Sequence, residues 1–190
     1  LLQPKGVRAL GQQRYFLCLG TIEPRKNHRL LLAVWRRILA ERGSNVPQLV
    51  CIGQWGAGSD EVRAALGADP LLAAHVTMIN DCPDADLADW IAGAEALLLP
   101  SEAEGFGLPL VEALGLGTPV IASDLPCFRE NGQGLPRLLD PHAVEDWEKQ
   151  IMRLWSDPAE RLLRRVQAMG FQAPSWSGHF ARLDDWLGRV

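Results

Sequence analysis

The stretch that decides the fold is ALLLPSEAEGFGLPLVEALGLGTPVIASD, residues Ala96 to Asp124. ALLLP and PVIAS are apolar runs of strand length, and the segment from Leu108 to Gly117 between them is long enough for a helix. Strand, helix, strand in that order is a βαβ unit, and two strands joined in this way run parallel. Both runs are apolar throughout and do not alternate, so the sheet is expected to be covered on both faces.

The same alternation extends in both directions. Upstream come YFLCLG, a helix from Asn27 to Arg42, QLVCIG, a helix near Ser59 to Leu66, HVTMI and a helix from Asp84 to Ala94. Downstream come RLLD and three helices, Ala143 to Trp155, Pro158 to Met169 and Ser175 to Leu187. In the first helix Leu31, Val34, Trp35 and Ile38 form one stripe and Arg36, Arg37 and Glu41 lie opposite, so Trp35 reads as core. No internal repeat interrupts the pattern. The expected fold is α/β: a Rossmann-like open parallel sheet with helices on both faces and a helical C-terminal end. Residues 1–14 read as a linker and 15–190 as one domain.

Composition narrows the function. The chain has 190 residues, 47% of them hydrophobic, enough for a full core. Its net charge of −4 comes from 23 acidic and 19 basic residues without like-charge blocks, which speaks against a nucleic-acid partner. Cys18, Cys51, Cys82 and Cys127 form no CxxC pair and have no histidine at zinc-ligand spacing. Cys18 and Cys51 sit in apolar runs and read as small buried hydrophobes, as in a reducing cytosol. His28, His75, His142 and His179 read as surface or packing residues. No apolar run approaches the ~18 residues of a membrane span and no leader precedes the first strand, so a soluble chain is expected. It opens with LLQPKG and not with methionine, as expected of a segment of a longer protein.

In open parallel sheets ligands bind beyond the carboxyl ends of the strands. Two loops there are chemically unusual. Gly20-Thr21-Ile22-Glu23-Pro24-Arg25-Lys26-Asn27 places adjacent cations before a helix. It lacks GxGxxG, GxxxxGK[ST] occurs nowhere, and GQWGAG from Gly53 to Gly58 has its glycines in the wrong order. In the second loop Gly105 and Gly107 allow backbone geometry or close approach that a Cβ would block, and Pro109 suits a first helical turn. Free N–H groups around Gly107 to Leu110, backed by the helix dipole, would form an anion site. Glu104 and Glu112 flank it. A lone carboxylate on a buried helix costs several kcal/mol unless paired or hydrogen-bonded. Beside a phosphate, carboxylates are tolerated when they accept from hydroxyls, which suits a nucleotide sugar: Glu112 on the ribose, Glu104 on the transferred sugar. Helix capping or dipole compensation by Glu104, and an internal salt bridge for Glu112, remain as alternatives.

Glu104-Gly-Phe-Gly-Leu-Pro-Leu-Val-Glu112, with flanking ALLLPS and EALGLGTPVIASD, resembles the E-x7-E motif of the retaining glycosyltransferases of family 4. The resemblance runs from about Tyr15 through the last helix. It implies the C-terminal, nucleotide-sugar-binding half of a B-type (GT-B) glycosyltransferase. It also implies sugar contacts by Glu104, backbone contacts to sugar and phosphate from Gly105, Phe106, Gly107 and Leu108, and ribose contacts by Glu112. Lys26 corresponds to the lysine that neutralises the diphosphate. The family often has arginine directly after the loop glycine Gly20, where this chain has Thr21; Arg25 either supplies that charge or is a solvated helix-start residue. Asn80 to Asp84, including Cys82, follows the third strand where similar proteins hold the base; Asp84 is a guanine acceptor or a helix N-cap.

GTIEPRKN resembles the loop of bacterial surface-polysaccharide mannosyltransferases, which implies GDP-mannose as donor and lipopolysaccharide biosynthesis as setting. No cofactor is expected, and no metal, since both glutamates have other roles. The resemblance places the acceptor, a glycan or lipid-linked saccharide, on an N-terminal domain this chain lacks, and makes the protein cytoplasmic, with peripheral inner-membrane association of the full-length enzyme left open. On its own the chain is expected to transfer little. The alternatives are an epimerase or a starch- or sucrose-type synthase on the same fold using a UDP or ADP sugar, and a noncatalytic nucleotide-sugar-binding module.

Overall fold

A computed structural model describes residues 13–188, so the expected linker at 1–14 lies almost wholly outside the described residues. Six strands follow one another: β1 Tyr15–Leu19, β2 Gln48–Ile52, β3 Val76–Ile79, β4 Leu97–Leu99, β5 Val120–Ser123 and β6 Arg137–Leu139. All pair in parallel, in the order β3-β2-β1-β4-β5-β6. Between them lie α1 His28–Arg42, α2 Asp60–Gly67, α3 Pro70–Ala73, α4 Asp84–Gly93, α5 Leu108–Gly115 and α6 Pro126–Asn131; α7 Val144–Ser156, α8 Pro158–Ala168 and α9 Trp176–Leu187 complete the chain.

Alternate strand residues feed two cores. Phe16, Cys18, Leu49, Cys51, Leu98 and Ile121 face α1 and α7, where Leu31, Trp35, Trp147 and Ile151 are fully covered. Leu17, Leu19, Val50, Leu97, Leu99 and Val120 face the other way, onto Trp90, Leu110, Ala113 and Phe128. Burial of both strand faces is why the strand sequences read as continuous apolar runs. Trp35 is core as expected, and its indole N–H donates to the Pro47 carbonyl at 2.9 Å.

Differences from the sequence expectation are local. The first helix does not begin at Asn27: Pro24–Lys26 form a 3-10 turn, Asn27 takes a left-handed conformation at φ 52°, and its N–H donates to the Pro24 carbonyl. Asparagine tolerates that conformation better than most residues. α3 and α6, each begun by a proline, are too short for their periodicity to register. α5 stops at Gly115 and not at Gly117, which turns the chain at φ 72°. Among the described residues no helix is long and apolar enough to cross a membrane.

Trp35→Ala empties a fully covered site and is expected to cost about 3–5 kcal/mol in urea unfolding. Leu162→Ala, on the exposed side of α8, is expected to stay within about 0.5 kcal/mol of the parent.

Candidate functional site

The strand order reverses direction between β1 and β4, and the loops leaving these two strands face each other across that divide. The β1 loop is built around glycine. Gly20 has φ +128°, and a Cβ there would lie 3.2 Å from the Lys26 Cε and 3.3 Å from its Nζ. Glycine at this position therefore admits the end of the lysine side chain. The 3-10 turn, closed by Lys26 N–H donating to the Glu23 carbonyl at 3.0 Å, turns the chain back so that Lys26 reaches across to the β4 loop.

The β4 loop ends at Gly107, with φ 82°, where a Cβ would come within 2.7 Å of the Phe128 ring. Gly107 is thus fixed by conformation and by contact. Gly105 is different: a Cβ there would meet nothing within 4 Å and its φ is not positive, so no neighbour within the chain demands glycine. The expected row of free amides is also shorter than the sequence suggested. Leu110 N–H donates to the Gly107 carbonyl at 3.0 Å and Pro109 has none, so Gly107 and Leu108 are left to present N–H groups ahead of the first intrahelical bond.

The two loops are joined by charge. Lys26 Nζ lies 2.5 Å from Glu104 Oε1, and Arg25 Nη1 lies 3.2 Å from Oε2. The Ser101 hydroxyl donates to Glu104 Oε1 at 2.8 Å. Arg25 also pairs with Glu23 at 2.7 Å and donates to the Ala103 carbonyl at 3.2 Å, while its own carbonyl accepts from Glu102 N–H at 2.8 Å. Arg25 is therefore paired, although its side chain remains half exposed. Lys26 and Glu104 are nearly covered, with side chains 11% and 9% exposed. Burial alone would raise the Glu104 pKa, but hydrogen bonds from Lys26 and Ser101 and the two positive charges outweigh it and hold the carboxyl below its ordinary value. Glu104 does not cap α5, whose cap residue Gly107 makes no side-chain bond. Ser101 was not singled out in the sequence; a serine three residues before the glutamate was its only signal.

Glu112 departs from expectation. α5 buries Leu110, Ala113 and Leu114 but leaves Glu112 exposed, so its charge needs no internal compensation. Among the described residues it has no ion pair, which removes the internal salt-bridge reading. It instead lines a cleft of about 330 Å³ together with Gly20, Gly53, Asn80, Asp81 and Cys82. Asp84 is not among the residues lining this cleft, nor is it an N-cap: Pro83 takes the cap position and Asp84 is exposed in the first turn of α4. Burial, then Asp86, Asp81 and Asp84, push the Cys82 thiol up. Phe106 is 48% exposed, and its carbonyl accepts from Asn131 Nδ2 at 2.8 Å. Thr21 is exposed at the edge of the β1 loop, its methyl against Gly56. The geometry thus joins Lys26, Arg25 and Glu104, sets Glu112 and Cys82 in the neighbouring cleft, and leaves Asp84 outside it. Among the described residues, the one group of histidine, cysteine or carboxylate side chains dense enough for a metal ion is Cys18, His28 and Cys51, buried beneath the β1 loop.

A carboxyl held below its ordinary value contributes stability that is present above the unfolded value and lost as pH falls through the folded one. The stability difference between the parent and Glu104→Gln is therefore expected to be largest above pH 4.5 and to shrink as pH falls below it, read by chemical denaturation across that range.

The sequence matches the family described as glycosyl transferases group 1 over residues 3–170. It is 35% identical over 170 residues to the serotype-specific mannosyltransferase WbdA of Escherichia coli, covering 80% of this chain and 21% of that protein. It is 31% identical over 168 residues to the O-antigen chain mannosyltransferase B of Escherichia coli, covering 88% of this chain and 43% of that protein. The chain thus spans less than half the length of these relatives. Among solved structures, Anabaena Alr3699/HepE in complex with UDP superposes with a TM-score of 0.79 at 18% identity, over 98% of this chain and 52% of that one. The extent of the family match, the parallel sheet and the E-x7-E loop agree: the chain belongs to the glycosyl transferases group 1, as a C-terminal domain of the GT-B type.

Proposed function

We propose that this chain is the donor-binding half of a retaining glycosyltransferase that moves mannose from GDP-mannose to a polysaccharide or lipid-linked acceptor. The observation that carries the reading is the convergence of Lys26 and Arg25 on Glu104 at the reversal of the sheet, beside a cleft holding an unpaired Glu112. In this reading the diphosphate lies between the β1 loop and the start of α5. Lys26, Arg25 and the amides of Gly107 and Leu108 face the charge that builds on the departing diphosphate, the kind of stabilisation that contributes most in such reactions. Glu104 holds Lys26 in position before the donor arrives and then accepts from the sugar hydroxyls. Glu112 accepts from the ribose, and Asn80 to Cys82 flank the base.

Mannose as the transferred sugar rests on similarity to two mannosyltransferases, and acceptor binding belongs to a further domain. UDP-sugar use is the second reading, favoured by the fold shared with a protein solved with UDP.

Two measurements test this. In thermal-shift titrations with GDP, UDP, ADP and dTDP, GDP is expected to stabilise most, by about 2.7 kcal/mol at one hundred times its Kd, and Glu112→Gln is expected to weaken that response. A UDP preference would select the second reading, and no response to any of the four would remove the donor site. In the complete enzyme, Lys26→Ala and Glu104→Gln are each expected to lower kcat by a factor on the order of 100 or more with the fold retained. A near-normal rate for either would end the assignment.

A further inference from the structure

We propose that Cys18, His28 and Cys51 form a zinc-binding site inside the domain, separate from the donor cleft. Cys18 and Cys51 are register partners on β1 and β2, and His28 is the first residue of α1. The two sulfurs and an imidazole nitrogen all lie within 4.8 Å of one another. All three residues are buried, the cysteines 2% exposed and the histidine 3%.

An observation independent of the cluster's geometry points to a ligand. Among the described residues, neither ring nitrogen of His28 has a hydrogen-bond partner. An unsatisfied buried polar group costs about 1–3 kcal/mol, and buried imidazoles are ordinarily paired. His28 also borders a cavity of about 210 Å³ lined by Glu23, Asn27, Ser59 and Glu61. The ligands come from three separate elements, so no sequence spacing announces them.

The donor set selects the metal. Two thiolates and an imidazole are soft or borderline ligands, suited to Zn²⁺ and not to the oxygen-seeking Mg²⁺ or Ca²⁺. Zn²⁺ would displace one proton from each thiol to solvent and take the lone pair of a neutral imidazole, leaving an assembly of zero net charge. That neutrality suits an interior site, whereas Cu⁺ on the same two thiolates would leave a buried negative charge. Tetrahedral zinc, with a water completing the three protein ligands and bonds of about 2.3 Å to sulfur, needs the sulfurs roughly 3.8 Å apart, inside the 4.8 Å limit that the three ligand atoms keep here. The bound ion would tie β1 and β2 to the head of α1, two residues after Lys26.

The test uses the reduced 190-residue chain carrying Cys82→Ala and Cys127→Ala, so that only the two buried thiols remain. One Zn²⁺ per chain is expected to survive dialysis and raise Tm. Co²⁺ is expected to give a near-ultraviolet thiolate charge-transfer band that Zn²⁺ bleaches. Cys51→Ala is expected to weaken binding at least about tenfold. His28→Phe retains a buried ring, has its fold checked by circular dichroism, and should weaken binding to a similar degree. Zinc binding unchanged in His28→Phe, or a cobalt complex without the thiolate band, would each overturn the proposal.

Discussion

Lys26 carries its ammonium group almost out of water across the divide between β1 and β4, and Glu104 makes that arrangement tolerable. An isolated buried charge of either sign is strongly disfavoured, and one neutralised by a short, doubly supported partner is not. Gly20 gives the lysine room, the 3-10 turn aims it, and Ser101 and Arg25 hold its acceptor. The loops of two adjacent strands are thereby closed on each other at the place where a parallel sheet receives its ligand.

A pair of this kind is poised for exchange. Lys26 and Arg25 already face a carboxylate, so under the proposed reading a dianionic diphosphate entering between the loops would compete for contacts that exist. The carboxylate it would displace lies at the entrance to α5, whose unbonded amides add further positive character. Glu112 stands apart from these contacts, exposed in the adjoining cleft and, among the described residues, without an ion pair.

The architecture was legible in the sequence because burial on both faces leaves a strong mark: apolar runs of strand length separated by segments of helical period, as in YFLCLG and ALLLP. The loop that holds the site was legible through Gly107, Pro109 and its two glutamates. Partnership was not. The Lys26–Glu104 pair joins residues 78 positions apart, and no spacing encodes it. The exposure of Glu112 is not legible in the sequence because α5 carries so few charges that it reads as buried, whereas its open face borders the cleft. Cys18 and Cys51 read correctly as buried; their meeting with His28 depends on strand register, which one sequence does not spell out.

Gly53 lies directly under the β1 loop: a Cβ there would fall 2.0 Å from the carbonyl oxygen of Gly20, a distance no rearrangement of side chains could relieve. Gly20 N–H in turn donates to the Ile52 carbonyl at 3.0 Å, and Gly53 N–H to the Ile79 carbonyl at 2.9 Å. The turns after β1, β2 and β3 are consequently stacked backbone on backbone, with nothing soft between them. A change of shape in the turn after β3 must be transmitted to the segment bearing the cations, so lineages of this fold would alter the two rims of the cleft together and not one at a time.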